Sequence, residues 1–196
     1  ARLSLNSSTV LRQGVPLQFV RIATSACTQL APTQCSRLAI GADVINVKAP
    51  PYNAYGDNSH DDTAAIQAAF TAASSTLEKV IVPAGVYKTS DELVPTAGII
   101  IEGEGTSSVI TAASTFPSNK DFIRFAPAQT VTGMAVRDLA IIPNGKGRHG
   151  IHLDPGGAAS FLNVSLERLL IFPTDNGNSI KTKWLAYSEI KGRNNL

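Results

Sequence analysis

The stretch of this chain with the clearest acid–base character is Arg148-His149-Gly150-Ile151-His152-Leu153-Asp154. Imidazole ordinarily titrates near neutral pH, so a histidine beside a carboxylate can take up a proton and return it. The segment alternates polar and apolar residues. On a regular strand His152 and Asp154 share one face with Gly150, while Ile151 and Leu153 take the other, which must be core. His152 and Asp154 are therefore expected to stand exposed together, and they are the candidate catalytic pair. Arg148 and His149 are candidate substrate contacts beside them. Trp184, with Tyr187 nearby, offers an aromatic face for stacking and joins those contacts. The plainer reading of the same pattern is the polar outer side of a half-exposed strand.

Two further pairs carry opposite charge at a fixed offset. Asp138 lines up with Arg168, and Arg137 with Glu167, each 30 positions on. The offset belongs to a longer match. Val136-Arg137-Asp138-Leu139-Ala140-Ile141-Ile142-Pro143 aligns with Leu166-Glu167-Arg168-Leu169-Leu170-Ile171-Phe172-Pro173. Apolar positions coincide, and both segments end in Pro before a polar, Gly-containing loop. A repeat of this length marks a solenoid. Here each unit holds short strands, so the units stack as rungs around a continuous apolar core. On such a scaffold the charge pairs form an exposed ladder of little net stability.

The elements that hold these residues are legible upstream. Asp61-Asp62-Thr63 precedes the Ala-rich run Ala64 to Ala73, in which Ile66, Ala69, Phe70 and Ala73 fall on one face. Acidic and hydroxyl side chains there suit a helix start, so a capping helix is expected over about 62–74. Short strands follow at Lys79–Val82, Val86–Thr89 and 98–105, separated by Pro-Ala-Gly and Gly-rich corners. Asp43 to Val47 alternates as a strand before the helix-forbidding Pro50-Pro51. Gly103 and Gly105 read as rung corners, because the helix that a phosphate loop needs does not follow them.

These residues resemble a known family. Tyr55-Gly56-Asp57-Asn58-Ser59-His60-Asp61-Asp62-Thr63-Ala64-Ala65-Ile66-Gln67-Ala68-Ala69 is similar to the G-D-G-x-x-D-D-T-x-A-I-Q-x-A motif of pectate-lyase-like proteins. Val80-Ile81-Val82-Pro83-Ala84-Gly85-Val86-Tyr87 and Ile101-Glu102-Gly103-Glu104-Gly105 follow in the family's order. Asn58 stands where the family has Gly, and Asn tolerates the same left-handed backbone. The resemblance covers residues 43 to 110 and implies an all-β fold, a right-handed single-stranded parallel β-helix with an N-terminal capping α-helix. Residues 1–40 are outside it and read as an attachment or neck. Residues 41–196 read as the N-terminal part of a longer, truncated β-helix.

The family includes phage tailspikes, capsule depolymerases and secreted polysaccharide lyases and glycosidases. The resemblance thus implies a bacterial surface polysaccharide as partner, a homotrimer, other virion tail proteins beside it and a place in the virion tail. A hydrolase would need two carboxyl groups. A lyase would need a base beside a uronic carboxylate, with a cation to neutralise it. No cofactor is expected, although a lyase would bring a divalent cation such as Ca2+. Two alternatives stay open: a secreted lyase or glycosidase, and a non-catalytic tail adaptor or binding β-helix.

Composition narrows the partners. Charged residues make up 16% of the 196-residue chain and the net charge is +2, too little to imply a nucleic-acid partner. No stretch approaches the apolar length of a membrane span, and residues 1–20 do not read as a signal peptide. Cys27 and Cys35 are read as free thiols, with a short disulfide loop as the alternative in an oxidising compartment.

Overall fold

The computed structural model describes residues 44–191, apart from 77, 97, 157–158, 173, 175–179, 183–184 and 187–188. Residues 1–43, with Cys27 and Cys35, and residues Trp184 and Tyr187 lie outside the described residues.

The alternating runs form short strands, all paired in parallel. The first two rungs contribute β1 (Ile45–Asn46), β2 (Asp57–Asp61), β3 (Lys79–Val82) and β4 (Gly85–Thr89). The third holds β5 (Ile100–Gly103), β6 (Ser108–Ala112), β7 (Ile123–Phe125) and β8 (Val131–Thr132). The fourth holds β9 (Ala135–Ile142), β10 (Ile151–Leu153) and β11 (Phe161–Leu162). After them come β12 (Ser165–Ile171), β13 (Ile180–Thr182), β14 (Leu185–Ala186) and β15 (Glu189–Lys191). One long sheet runs β1-β3-β5-β9-β6-β4-β2, with β12 and β15 stacked on from β9. The second face is β7-β10-β13 and the third is β8-β11-β14. This is a parallel β-helix.

The 30-residue offset reappears as strand register. Val136 pairs with Leu166, Leu139 with Leu169 and Ile141 with Ile171. Equivalent residues therefore stack in columns, and inward columns such as Ile123 and Ile151, or Val80, Ile101 and Val136, make one core.

Corners need backbone that extended residues cannot supply. β9 pairs with β5 through residues 135–137 and with β6 through 140–142, so it turns between two faces near Asp138. Asp138 has φ 55°, and Arg168 above it has φ 50°. One rung below, a Cβ on Gly103 would lie 2.2 Å from the Asp138 carbonyl oxygen. Gly103 is there because the corner above leaves no room for a side chain. Asn58 has φ 61°, the left-handed backbone expected of it.

The helix, α1 (Thr63–Thr76), buries Ile66, Ala69, Phe70 and Ala73 completely. Gln67 fastens it to the second rung: its amide donates to the Val94 carbonyl and accepts from the Val94 N–H, at 3.1 and 2.7 Å. Its start differs from the expected cap. Asp61 accepts from the Thr63 N–H and hydroxyl and from Ser90 Oγ. Asp62 turns inward and accepts from the backbone N–H groups of Tyr55 and Gly56 at 2.6 and 3.0 Å. It is 1% exposed. A buried carboxylate needs donors, and the Gly56 turn, with φ 62°, supplies them.

Candidate functional site

The candidate residues gather on the second face and on the turns that lead into its strands. Ile151 pairs with Ile123 on one side and with Ile180 on the other, all in register, so the residue after each also stacks: Arg124, His152 and Lys181. Ile151 and Leu153 are core. Arg124, His152 and Lys181 thus form an outward column with rungs ~4.8 Å apart.

Sequence alternation places His152 outward, as expected, but not in the open. Its side chain keeps only 9% of its surface exposed. The turns fold over it. Asp121, on the turn before β7, approaches His152 Nδ1 at 2.7 Å through Oδ2. His149, on the turn before β10, meets the ring edge-on at 5.3 Å between centroids. His149 is itself buried.

Asp121 is the centre of the arrangement, and sequence reasoning missed it. Its side chain is fully buried. Arg148 donates to it from Nε at 2.9 Å and from Nη2 at 2.7 Å. The Asp121 N–H donates to Glu92 at 3.0 Å. Burial alone would raise this carboxyl, but the hydrogen bonds from Arg148 and His152 outweigh it and hold it below the usual carboxylate range. The carboxylate in turn raises Arg148. Burial pushes the His149 imidazole below its ordinary value, against the pull of Asp121. Thr174 fixes the Arg148 turn by donating to the Arg148 carbonyl at 2.6 Å.

Asp154 is part of the face but is tied elsewhere. It is half-exposed and lies 3.8 Å from Arg124 Nη1. Arg124 also donates to Glu92 at 3.0 Å. The structure therefore brings Arg148, His149 and His152 together around Asp121, and joins Asp154 to the cluster through Arg124. Lys181 closes the column on the next rung and is exposed.

The charge ladder lies on the long sheet. Arg168 closes on Asp138 at 2.6 and 2.7 Å. Arg137 reaches back to Glu102, at 2.6 Å, on the rung before.

Among the described residues no three His, Cys, Asp or Glu side chains come together as a metal site. Glu92 and Asp121 are each bonded to an arginine, whose positive charge opposes a cation. No helix among the described residues is long and apolar enough to cross a membrane.

Comparison with known proteins agrees with the architecture. The sequence model of the family described as rhamnogalacturonase A/epimerase, pectate lyase-like, matches residues 44–151. No curated protein sequence matches the chain. Among solved structures, ORF18 of Geobacillus virus E2 superposes with a TM-score of 0.52 at 20% identity, covering 68% of this chain and 27% of that one. The A-module of mannuronan C-5 epimerase AlgE4 from Azotobacter vinelandii gives 0.47 at 20% identity, covering 76% of this chain and 52% of that one. The chain thus spans about a quarter of the first and half of the second.

Proposed function

The chain belongs to the rhamnogalacturonase A/epimerase, pectate lyase-like family, and we propose that it is part of a trimeric, tailspike-like virion protein that binds and depolymerises a bacterial surface polysaccharide. The observation that carries this reading is the column of Arg124, His152 and Lys181, set in register on three successive rungs. An acidic polysaccharide laid along the helix axis would meet one nitrogen group per rung. Electrostatic complementarity of this kind favours uronic over neutral sugars.

Elimination suits the groups better than hydrolysis. Hydrolysis needs a free carboxyl pair, whereas Glu92, Asp121 and Asp154 are each ion-paired with an arginine. In the elimination, Arg124 and Lys181 offset the uronic carboxylate. His152 takes the proton from the adjacent carbon, through the nitrogen not bonded to Asp121. The glycosidic C–O bond on the neighbouring carbon then breaks, its electron pair leaves with the oxygen, which takes a proton from water, and an unsaturated uronic end remains. Asp154 and Glu92 hold Arg124 in place.

The test is incubation of the full chain with acidic capsular, O-antigen and pectic polysaccharides and with neutral glycans. Ultraviolet absorbance reads unsaturated products, and a reducing-end assay reads any cleavage. Acidic chains should bind and yield unsaturated ends, and His152→Gln should abolish the product. Equal binding of neutral and acidic chains would overturn the role of the column. Light scattering tests the assembly: a monomer at micromolar concentration would remove the tailspike reading.

A further inference from the structure

The outward histidine is held by a group that no part of the polysaccharide reading requires. Asp121 Oδ1 accepts from Arg148 Nε, and Oδ2 accepts from Arg148 Nη2. The guanidinium can only donate, so both carboxylate oxygens present lone pairs to it. Oδ2 is also 2.7 Å from His152 Nδ1. An oxygen already accepting from Arg148 accepts again here, so Nδ1 must carry the hydrogen. The fork of Arg148 fixes the plane of the carboxylate, and the carboxylate fixes the imidazole.

We propose that Asp121 and Arg148 are positioning residues for His152: Asp121 selects the Nδ1–H form and leaves Nε2 as the basic nitrogen, while Arg148 locks Asp121 and offsets its charge. The clamp itself rests on geometry alone. Its use in catalysis rests on the reading of this face as a polysaccharide site. The offset matters because a buried carboxylate beside a histidine stabilises the imidazolium, which cannot act as a base. With Arg148 in place, Asp121 orients the ring without acting as the sole counter-charge to it. The other groups around the ring are Arg124 from β7, Lys181 from β13, and His149 and Asp154 on either side of β10. Both column neighbours are cations and add to the effect of Arg148.

The experiment is nitrogen NMR on the histidine-labelled full chain. The chain has three histidines, assigned with His60→Gln and His149→Gln. In the unsubstituted protein at neutral pH, the His152 signals should be those of a ring protonated on Nδ1. This measurement needs no destabilising variant. In Asp121→Ala that preference should vanish, because no acceptor then holds the Nδ1 hydrogen. In Arg148→Met the carboxylate loses the fork that fixes its plane, so the Nδ1–H preference of His152 should weaken. Arg148→Lys keeps the charge but not the fork and should restore that preference only in part. A ring protonated on Nε2 in the unsubstituted protein would overturn the proposal, as would an undiminished Nδ1–H preference in Arg148→Met. Nδ1 protonation in a chain inert towards every polysaccharide would support the clamp and overturn the polysaccharide reading.

Discussion

Asp121 accepts a hydrogen bond from His152 at 2.7 Å, although 31 positions and one turn of the helix separate them in the chain. The same carboxylate takes two more bonds from Arg148. Removing it leaves a buried imidazole N–H and a guanidinium without their acceptor. Asp121→Ala is therefore expected to cost about 2 kcal/mol, a figure already discounted for the half-exposed Arg148. Urea denaturation at neutral pH measures it. A loss under about 0.5 kcal/mol, the size of a typical surface substitution, would mean that water replaces the carboxylate at no cost.

The cluster also makes stability depend on pH in two steps. His149 is pushed below its ordinary 6.5 by burial. Asp121 is held below its ordinary 3.8, its hydrogen bonds to Arg148 and His152 outweighing burial. In both cases the unfolded chain binds the proton at the higher pH. Their stabilising effect is thus complete above the ordinary value and declines as pH falls through it towards the folded one. Denaturation series should show a first decline beginning near pH 6.5 and a second below 3.8. His149→Gln should abolish the first and leave the second. A first decline of full size in that variant would assign it to another group.

The fold was legible in the sequence because the 30-residue repeat is the strand register itself, Val136 on Leu166 and Leu139 on Leu169. Inward columns demand that regularity. The face of α1 was legible for the same reason, since Ile66, Ala69, Phe70 and Ala73 must all point at the core. The site was less so. On the second face the spacing from Ile123 to Ile151 is 28 residues rather than 30, because corner loops vary where strands do not. A fixed offset of 30 from His152 arrives at Phe122 and passes over Asp121 by one position. Alternation, likewise, says which side of a strand a residue takes and nothing of the turns that fold over it. That is why His152 is outward yet covered.

Gly103 sits under the corner at Asp138, where a Cβ would lie 2.2 Å from the carbonyl oxygen and 2.8 Å from Ser108 Cβ. Both obstacles are on stacked backbone, so neither can swing away. Gly103→Ala should cost about 1–3 kcal/mol or more through displacement of the rung. Gly105→Ala is the control. It has φ +72° but open space around it, so only the backbone cost of roughly 1 kcal/mol applies. Thermal denaturation should place Gly103→Ala below Gly105→Ala, and the reverse order would show that backbone conformation outweighs the close approach.

Arg168 combines a left-handed backbone, φ 50°, with an ion pair to Asp138. The pair is exposed and salt-screened, so the backbone should dominate. Arg168→Asn and Arg168→Ala both lose the guanidinium, but Asn adopts the left-handed region more readily. The Asn variant should melt at the higher temperature, and the gap should persist in high salt. Equal melting temperatures would place the corner's stability in the side chain.

Phe70 is the largest side chain of the buried face of α1, wholly removed from solvent over the first rungs. A solenoid's end rung exposes core and unpaired strand edge unless something lies over it. If α1 is that cover, Phe70→Ala should do two things. It should cost about 3–5 kcal/mol as a large-to-small core change. It should also loosen the helix, leaving its tie to the 90–96 segment to the polar contacts of Thr63 with Ser90, Gln67 with Val94 and Ser74 with Thr96. Hydrogen exchange separates the two effects. Protection in α1 should fall further than protection in β9 and β12, whose register does not involve the helix. A uniform fall across all rungs would show that the helix and the solenoid unfold as one unit, with Phe70 an ordinary core residue rather than the anchor of a lid.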